Sequence, residues 1–316
     1  MEATSQPRAW KVLLAFSIIY FVWGSTFLAI RIGVHEVPPF LLAGMRFLAA
    51  GGVLYAWMRA RGTPSPTPRE WRAATLLAVL IFVGDYGLVF WAEQRVPSGI
   101  TAVMMATIAF FMTISEILIL RTQRLTARLA IALLVGIGGV AVLVSHTVSF
   151  GEVPIDTAGA CALIVAAMSW SVAAALTRRL PLPAAKVMSS GSQMLAGGVL
   201  LTVTAALLGE FRGFHVQAVS RDAWLALLYL IVAGSVVAFT AYVWLIHHES
   251  PTKVGTYAYV NPVIAVLLGH FLGGETIGAR TACGTLLVLV SVIVITTTPA
   301  KKAEIKAFVE ELGETS

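Results

Sequence analysis

Long apolar runs alternate with short polar segments along almost the whole chain. Each run is long enough to cross about 30 Å of hydrocarbon as a helix that rises 1.5 Å per residue. The segments between the runs are a dozen or so residues at most, which leaves no soluble domain between them. The pattern predicts an all-α polytopic membrane protein with ten transmembrane helices. They fall near residues 11–30, 39–58, 72–92, 97–120, 128–145, 155–177, 185–208, 223–246, 252–273 and 279–298.

The two halves of the chain resemble each other in sequence. Trp23 recurs 147 residues later as Trp170, and Gly51-Gly52 recurs as Gly197-Gly198. Each copy holds five predicted helices, and because five is odd, consecutive copies must cross the membrane in opposite directions. Inverted repeats of this kind are typical of secondary transporters, whose substrate site lies between the two halves.

Composition and charge support this assignment to the membrane. Hydrophobic residues make up 58% of the chain and charged residues only 12%, against about 25% charged in soluble domains. The net charge of +6 reflects topology rather than nucleic-acid binding, because 16 of the 22 Lys and Arg fall on one side of the predicted bundle and five on the other. The positive-inside bias predicts that both termini are cytoplasmic. We expect repeat 1 over 11–145, repeat 2 over 155–298 and a cytoplasmic amphipathic tail over 299–316.

Three ionisable residues lie within predicted helices, where charge is costly and usually functional. Arg46 and Asp85 sit at similar depth in helices 2 and 3, so they could form a buried ion pair that fixes packing, or present charge to a zwitterionic substrate or a gate. Glu116 lies nearer the cytoplasmic end of helix 4, where reaching out to the neighbouring basic loop is the simpler interpretation.

Aromatic residues are paired by the repeat at depths where the usual interfacial belt explains them poorly. Trp23 and Trp170 are the clearest case, and Tyr86, Tyr242 and Tyr257 lie on the third and fourth helices of their repeats. Such residues could line a cavity for a ligand with a flat apolar part.

Helix 9 contains Asn261-Pro262, whose proline should kink the helix and free a carbonyl, whereas helix 4 lacks the proline. Cys161 and Cys283 lie in apolar runs and are read as small packing residues. The adjacent His247 and His248 cannot share one helical face. We expect no metal site and no cofactor. No motif of a membrane enzyme is present, so we expect no catalytic residues.

These features resemble the drug/metabolite transporter superfamily, in particular its ten-helix EamA-type exporters. The resemblance rests on residues 21–27 in helix 1, Met45-Arg46-Phe47-Leu48 in helix 2, and the segment from Tyr257 to Glu275. It implies a central cavity between the repeats and export across the bacterial inner membrane. The cavity residues that it implies are Trp23, Tyr86, Trp170, Tyr242, Tyr257 and Asn261.

The sequence therefore predicts an alternating-access exporter of small metabolites, with amino acids, aromatic or bulky apolar ones included, as the favoured substrates. Export of toxic organic cations is the alternative within this class, because aromatic walls also attract cations. A polytopic membrane enzyme is the competing class. The expected partners are a small-molecule substrate and the lipid bilayer. Oligomeric state and energy source stay open.

Overall fold

The computed structural model describes residues 9–115, 117, 125–144, 155–177, 179–248, 254 and 256–297. Within these residues ten helices follow one another, as the sequence predicted. Eight are long and apolar enough to cross a membrane, and the fifth and ninth are shorter apolar helices. The helices are α1 (Ala9–Val34), α2 (Pro39–Ala60), α3 (Pro68–Glu93), α4 (Ser98–Met105 and Ile108–Ser115), α5 (Ala127–Val144), α6 (Thr157–Thr177), α7 (Lys186–Leu207), α8 (Arg221–Tyr229, Leu230–Val237 and Ala238–His248), α9 (Tyr257–Phe271) and α10 (Ala279–Thr297).

The starts of several helices follow from local sequence. Pro39 occupies the first position of α2, where its missing amide hydrogen costs nothing. Thr67 and Glu70 form a reciprocal capping box at the start of α3. The Ser220 side chain accepts a hydrogen bond from the Ala223 amide and so caps α8.

The third helix of each repeat contains a π-helical segment at about the same place. It covers Val79–Gly87 in α3 and Leu230–Val237 in α8. The wider turn of a π-helix shifts its hydrogen bonds to i→i+5 and is frequent at functional sites. The inverted repeat therefore extends to this irregular backbone feature.

Helix irregularity occurs in the fourth helix as well, where the sequence offered no proline. α4 is interrupted between Met105 and Ile108, and the Thr107 hydroxyl donates to the Met104 carbonyl there. α9 runs unbroken from Tyr257 to Phe271 with Pro262 inside it. α4 is therefore irregular although it contains no internal proline.

Glycines bring α2 and α7 together as an antiparallel pair. A methyl group on Gly51 would lie 2.6 Å from the Leu195 amide nitrogen, and one on Gly198 would lie 2.5 Å from that of Leu48. Gly51 and Gly198 are 147 residues apart, as Trp23 and Trp170 are, so the sequence pairing of Gly51 with Gly197 was wrong by one residue. Only a residue without a side chain permits such close approach, which is the usual basis of helix packing in membranes.

The other helices repeat the same symmetry. α5 packs antiparallel against α10, with Gly136 facing Ser291 and Gly284 facing Leu143. α1 packs on α8 and α9, and correspondingly α6 packs on α3 and α4. The fold is thus two inverted five-helix repeats wrapped around each other.

Two ends of the bundle are used below. The Glu275 end carries the described loops 35–38, 94–97, 208–220 and 272–278. The amino-terminal end carries the start of α1 and the described loops 61–67 and 179–185. Glu116 and the tail 299–316 lie outside the described residues.

Candidate functional site

Three predicted site residues form one aromatic cluster. Trp23 of α1 lies 5.3 Å from Tyr242 of α8 and 5.2 Å from Tyr257 of α9, measured between ring centroids, and the two tyrosines are 6.1 Å apart. The edge-on and tilted ring geometries are the ones that aromatic quadrupoles favour. This cluster joins α1 of one repeat to two helices of the other.

The indole of Trp23 is fixed by the irregular part of α8. Its Nε1 donates a 3.1 Å hydrogen bond to the carbonyl oxygen of Gly234, within the π-helical segment. A side-chain donor of α1 thus bonds the backbone of the opposite repeat.

The remaining predicted aromatics form a second cluster in repeat 1 and α6. Tyr86 of α3 lies 4.7 Å from the Phe47 ring, 5.9 Å from the Phe82 ring and 6.1 Å from the Trp170 ring, between centroids. The structure therefore divides the predicted cavity residues between two aromatic clusters rather than placing them around one.

Arg46 belongs to the second cluster and reaches across to α8. Only 3% of the residue is exposed, its Nε donates to the Ser235 hydroxyl at 2.9 Å, and its guanidinium carbon lies 4.8 Å from the Phe47 ring centroid and 5.3 Å from that of Tyr86. Its Nη1 has no hydrogen-bond partner. Arg46 is thus a buried cation that retains an unused donor.

Asp85 does not pair with Arg46, although both side chains are described, so the predicted ion pair is absent from this structure. Asp85 is 2% exposed, and its Oδ1 has no hydrogen-bond partner. The two residues were matched by depth alone, and depth does not fix the direction in which a side chain leaves its helix. Ser235 occupies the place at Arg46 that was expected for Asp85.

Asn261 lies at the contact between α9 and α1. It is 8% exposed, and its Oδ1 is buried without a partner. Its backbone oxygen would lie 3.2 Å from a methyl group on Gly24 of α1. The amide of Asn261 is therefore a polar group with an unfilled acceptor, as a ligand-binding residue requires.

The Glu275 end is closed by carboxylates that cap helix starts of the opposite repeat. Glu275 accepts hydrogen bonds from the Ser98 amide at 2.6 Å, the Ser98 hydroxyl at 2.7 Å and the Gly99 amide at 3.0 Å, all at the start of α4. Its Oε1 lies 3.6 Å from Arg31 Nε. A carboxylate at a helix N-terminus satisfies free amides and complements the helix dipole. Glu275 therefore ties repeat 2 to repeat 1.

Two more glutamates act in the same way at this end. Glu36 accepts from the Ser220 amide at 2.5 Å and from its hydroxyl at 2.7 Å, at the start of α8. These bonds, the hydroxyl one foremost, lower the pKa of the Glu36 carboxyl. Glu210 accepts from the Leu41 amide at 2.8 Å, but its partial burial raises its pKa. We call the contacts of Glu36, Glu210 and Glu275 the three glutamate clamps.

A sequence profile matches this chain twice. The profile of the EamA-like transporter family covers residues 10–145 and again residues 157–297. The chain belongs to the EamA-like transporter family. The two matches coincide with the two five-helix halves of the fold, and they confirm the resemblance drawn from the sequence.

Relatives of this EamA-like transporter are known in several organisms. It is 36% identical over 285 residues to the "Uncharacterized inner membrane transporter YedA" of Escherichia coli K12, with 89% of each chain covered. It is 25% identical to Protein PecM of Dickeya dadantii, covering 87% of this chain and 88% of PecM. A solved crystal structure with 22% sequence identity superposes with a TM-score of 0.58 over 92% of this chain and 98% of the other, which shows the same fold.

Surface grooves of this EamA-like transporter lie away from the two aromatic clusters. One, of about 340 Å³, runs between α1 and α8 beside Ser25 and Tyr229. Another, of about 310 Å³, lies among the loops of the Glu275 end beside Glu36 and Glu210. Neither of these two grooves is lined by a predicted site residue. The predicted aromatic site residues of the two clusters are partly exposed.

Sequence reasoning missed most residues that close the Glu275 end. Glu275 was noted only as the end of a segment that carries the family resemblance, and Glu36, Glu93 and Glu210 were not singled out. The available signal was weak, because each glutamate stands at or beyond a predicted helix end, where a charge needs no explanation. A glutamate in a loop can cap a distant helix, which only the tertiary structure reveals.

Proposed function

We propose that this chain exports small zwitterionic metabolites, above all amino acids, across the bacterial inner membrane by alternating access, with both termini in the cytoplasm. The observation that carries the proposal is that two buried ionisable side chains of opposite type, one basic and one acidic, do not pair with each other. Arg46 keeps an unpartnered Nη1, and Asp85 keeps an unpartnered Oδ1. In a membrane protein such charges are expensive and are retained for function.

The chemistry of Arg46 fits a carboxylate. A guanidinium presents several donors in a planar fork that matches carboxylate geometry, and here Nε is held by Ser235 while Nη1 is unused. Asp85 would receive the ammonium group of the same substrate. Tyr86 follows Asp85 in the chain, and its ring centroid lies 5.3 Å from the Arg46 guanidinium carbon. The ring offers an aromatic surface suited to a bulky side chain beside Arg46.

The closed Glu275 end supports loading of the substrate from the opposite end of the bundle. The three glutamate clamps hold the repeats together there, so in this conformation a substrate would enter from the amino-terminal end, which the positive-inside bias places in the cytoplasm. Export then requires the clamps to separate while the repeats rock about the α2–α7 pair. The inner-membrane location is also the one named for YedA.

Export of organic cations remains the second candidate, favoured by Asp85 and the surrounding rings. Arg46 argues against it, because a buried cation in contact with Tyr86 would repel a cationic drug. The membrane-enzyme alternative gains no supporting observation from the described residues.

The test is uptake into proteoliposomes of labelled phenylalanine, with 2-phenylethylamine and 3-phenylpropionate as competitors. These analogues lack the carboxylate and the ammonium group respectively. We expect saturable phenylalanine uptake that other neutral amino acids inhibit and that either analogue inhibits far less. Inhibition by phenylethylamine equal to that by phenylalanine, or uptake of methyl viologen alone, would move the assignment to cation export.

The aromatic clusters are tested separately in the same assay. Trp23→Ala and Trp170→Ala should each reduce uptake while leaving the yield of folded protein intact. A loss of folded protein in both variants would show that the rings serve packing rather than substrate binding.

A further inference from the structure

Glu93 is a buried carboxyl group to which the proposed transport site assigns no role. It is the last residue of α3, at the Glu275 end, and its exposed fraction is 0%. Neither Oε1 nor Oε2 has a hydrogen-bond partner within the described part of the chain. Four other carboxyl groups discussed above, those of Glu36, Glu70, Glu210 and Glu275, all accept hydrogen bonds.

Among the residues that the structure describes, Arg31 and Glu275 are the charged side chains that act on Glu93 electrostatically. The Arg31 guanidinium already has other partners. Its Nη1 donates to the carbonyl oxygens of Glu93 and Val96, at 2.9 and 2.7 Å, and its Nε faces Glu275. The Glu93 carboxyl is thus left without the cation that would compensate a negative charge.

The other helices around the end of α3 bring few titratable groups. Arg46 of α2 lies 5.9 Å from the Phe90 ring centroid, one turn earlier in α3. Asp156, before α6, accepts from the Gly159 amide at 2.7 Å. The described part of α4 has no titratable residue. In the adjoining loops, Arg95 stacks on Trp91, and His270 Nδ1 lies 2.8 Å from the Glu275 carbonyl oxygen.

An ionised carboxylate without hydrogen bonds is very costly in a buried site, and such a group takes up a proton instead. Glu93 is therefore held as the neutral acid while the Glu275 end is closed. The residue after it, Gln94, is exposed, so separation of Arg31 from Glu275 would bring water to the carboxyl group. Hydration lowers the free-energy cost of the negative charge, so the carboxyl group can then release its proton.

We propose that Glu93 is a proton-binding site that links closure of the Glu275 end to proton uptake. On closure one proton moves from the water on that side to one carboxylate oxygen of Glu93, and on opening it returns; no other bond changes. The alternating access of the proposed function is assumed only for the place of this step in a transport cycle. Each passage through the closed conformation would then carry a proton.

The size of the effect follows from proton linkage. Where the open form is ionised and the closed form protonated, the ratio of closed to open molecules should fall about tenfold for each unit of rising pH. Glu93→Gln keeps the shape of the neutral acid and cannot ionise. It should remain closed at all pH values.

The experiment measures the distance across the Glu275 end in the whole protein in lipid nanodiscs. Spin labels are placed at Gln94→Cys and Thr276→Cys, both exposed positions, with the two exposed native cysteines, Cys161 and Cys283, replaced by alanine. Distance distributions are recorded by pulsed electron paramagnetic resonance between pH 5 and pH 8. The matched controls are Glu70→Gln, the same substitution at the other end of α3, and His270→Gln, a substitution at the Glu275 end itself.

We expect a closed population that falls with rising pH in the wild type and in both controls, and no change with pH in Glu93→Gln. A wild type insensitive to pH would overturn the proposal without reference to any variant. So would a response that persists in Glu93→Gln or disappears in a control. No substrate is used, so a failure of amino-acid uptake would leave this result unaffected and would count only against the proposed function.

Discussion

The two repeats share their backbone architecture but not their chemistry. Both third helices carry a π-helical segment, with Gly84-Asp85 in α3 at the place where α8 has Gly234-Ser235. Both second helices meet through glycines 147 residues apart. Yet both buried, unpaired charges of the proposed site, Arg46 and Asp85, belong to repeat 1.

The counterpart of Arg46 shows the divergence most clearly. Gln193 lies 147 residues after Arg46, on α7, and its Nε2 donates to the carbonyl and hydroxyl oxygens of Ser189, one turn earlier in its own helix. Arg46 instead crosses to α8 and bonds Ser235. The glycine contacts are thus common to both repeats, whereas the buried Arg46 and Asp85 of the proposed site both belong to repeat 1.

The largest expected effect comes from removing the charge that distinguishes the repeats. Arg46→Gln should weaken phenylalanine uptake by about 2 to 5 kcal/mol, the usual cost of truncating one partner of a buried charge pair, which corresponds to a rise in apparent KM of at least about thirtyfold. The matched control is Gln193→Ala, whose side chain bonds only its own helix and should leave KM unchanged. Equal defects in the two variants, measured in the proteoliposome assay, would mean that Arg46 acts only through packing.

A smaller effect, on stability, is expected from changes to the glycine contacts between α2 and α7, which both repeats share. Gly51→Ala places a methyl group against the backbone of Met194 and Leu195, and overpacking of this kind costs about 1 to 3 kcal/mol. The adjacent Gly52 has no atom within 4 Å of such a methyl group, so Gly52→Ala is the matched control. Thermal unfolding in detergent should show a lower midpoint for Gly51→Ala alone. Similar midpoints for both would contradict the close α2–α7 contact.

The fold could be predicted from the sequence because two strong signals agree. Ten apolar runs determine the helices, and the odd number of helices per copy determines that the repeats are inverted. The π-segments and the break in α4 could not be predicted, because neither needs a marker residue. Val79–Gly87 contains no proline, and Ala106-Thr107 are small residues that also occur in regular helices.

The site could be predicted only in part. Depth along a helix follows from residue number, so the sequence predicts that Trp23, Tyr86 and Arg46 lie well within their helices. In the structure Arg46 is buried, and the two rings contact neighbouring helices. The direction of each side chain around the helix axis depends on helix packing, and Arg46 therefore meets Ser235 rather than Asp85. The burial of the Glu93 carboxyl group could not be predicted, because a glutamate at a helix end normally reaches water. The burial of both its oxygens is a property of the tertiary structure.

Loss of the hydrogen bond between Arg46 and Ser235, which lies in the π-segment of α8, should have a moderate effect on apparent KM. Ser235→Ala removes the hydroxyl that orients Arg46, a hydrogen bond to a charged group worth about 1.5 to 3 kcal/mol when intact. Apparent KM for phenylalanine should rise roughly tenfold or more, and less than in Arg46→Gln because the guanidinium is retained. Ser235→Thr keeps the hydroxyl and should restore most of the affinity. Failure of threonine to do better than alanine, with both variants folded, would remove the orienting role of Ser235.

The smallest effect concerns two of the glutamate clamps, which differ in pKa. Hydrogen bonds from Ser220 lower the pKa of Glu36 below 4.5 in the closed form, so this clamp is fully formed above pH 4.5 and is lost as the pH falls through the lowered value. Burial raises the pKa of Glu210, so its ionised form is disfavoured. At neutral pH, Glu210→Gln should therefore raise amide exchange less than Glu36→Gln does.

Hydrogen–deuterium exchange checks this at the Ser220 amide for Glu36→Gln and at the Leu41 amide for Glu210→Gln. Each variant is compared with the wild type at the same pH, with an expected increase of roughly a few-fold for an exposed pair. Because protonation disrupts the wild-type Glu36 clamp, the increase in Ser220 amide exchange caused by Glu36→Gln should become smaller toward pH 3. An increase that is the same at pH 3 and pH 7 would show that the ionised carboxylate contributes nothing to the contact with α8.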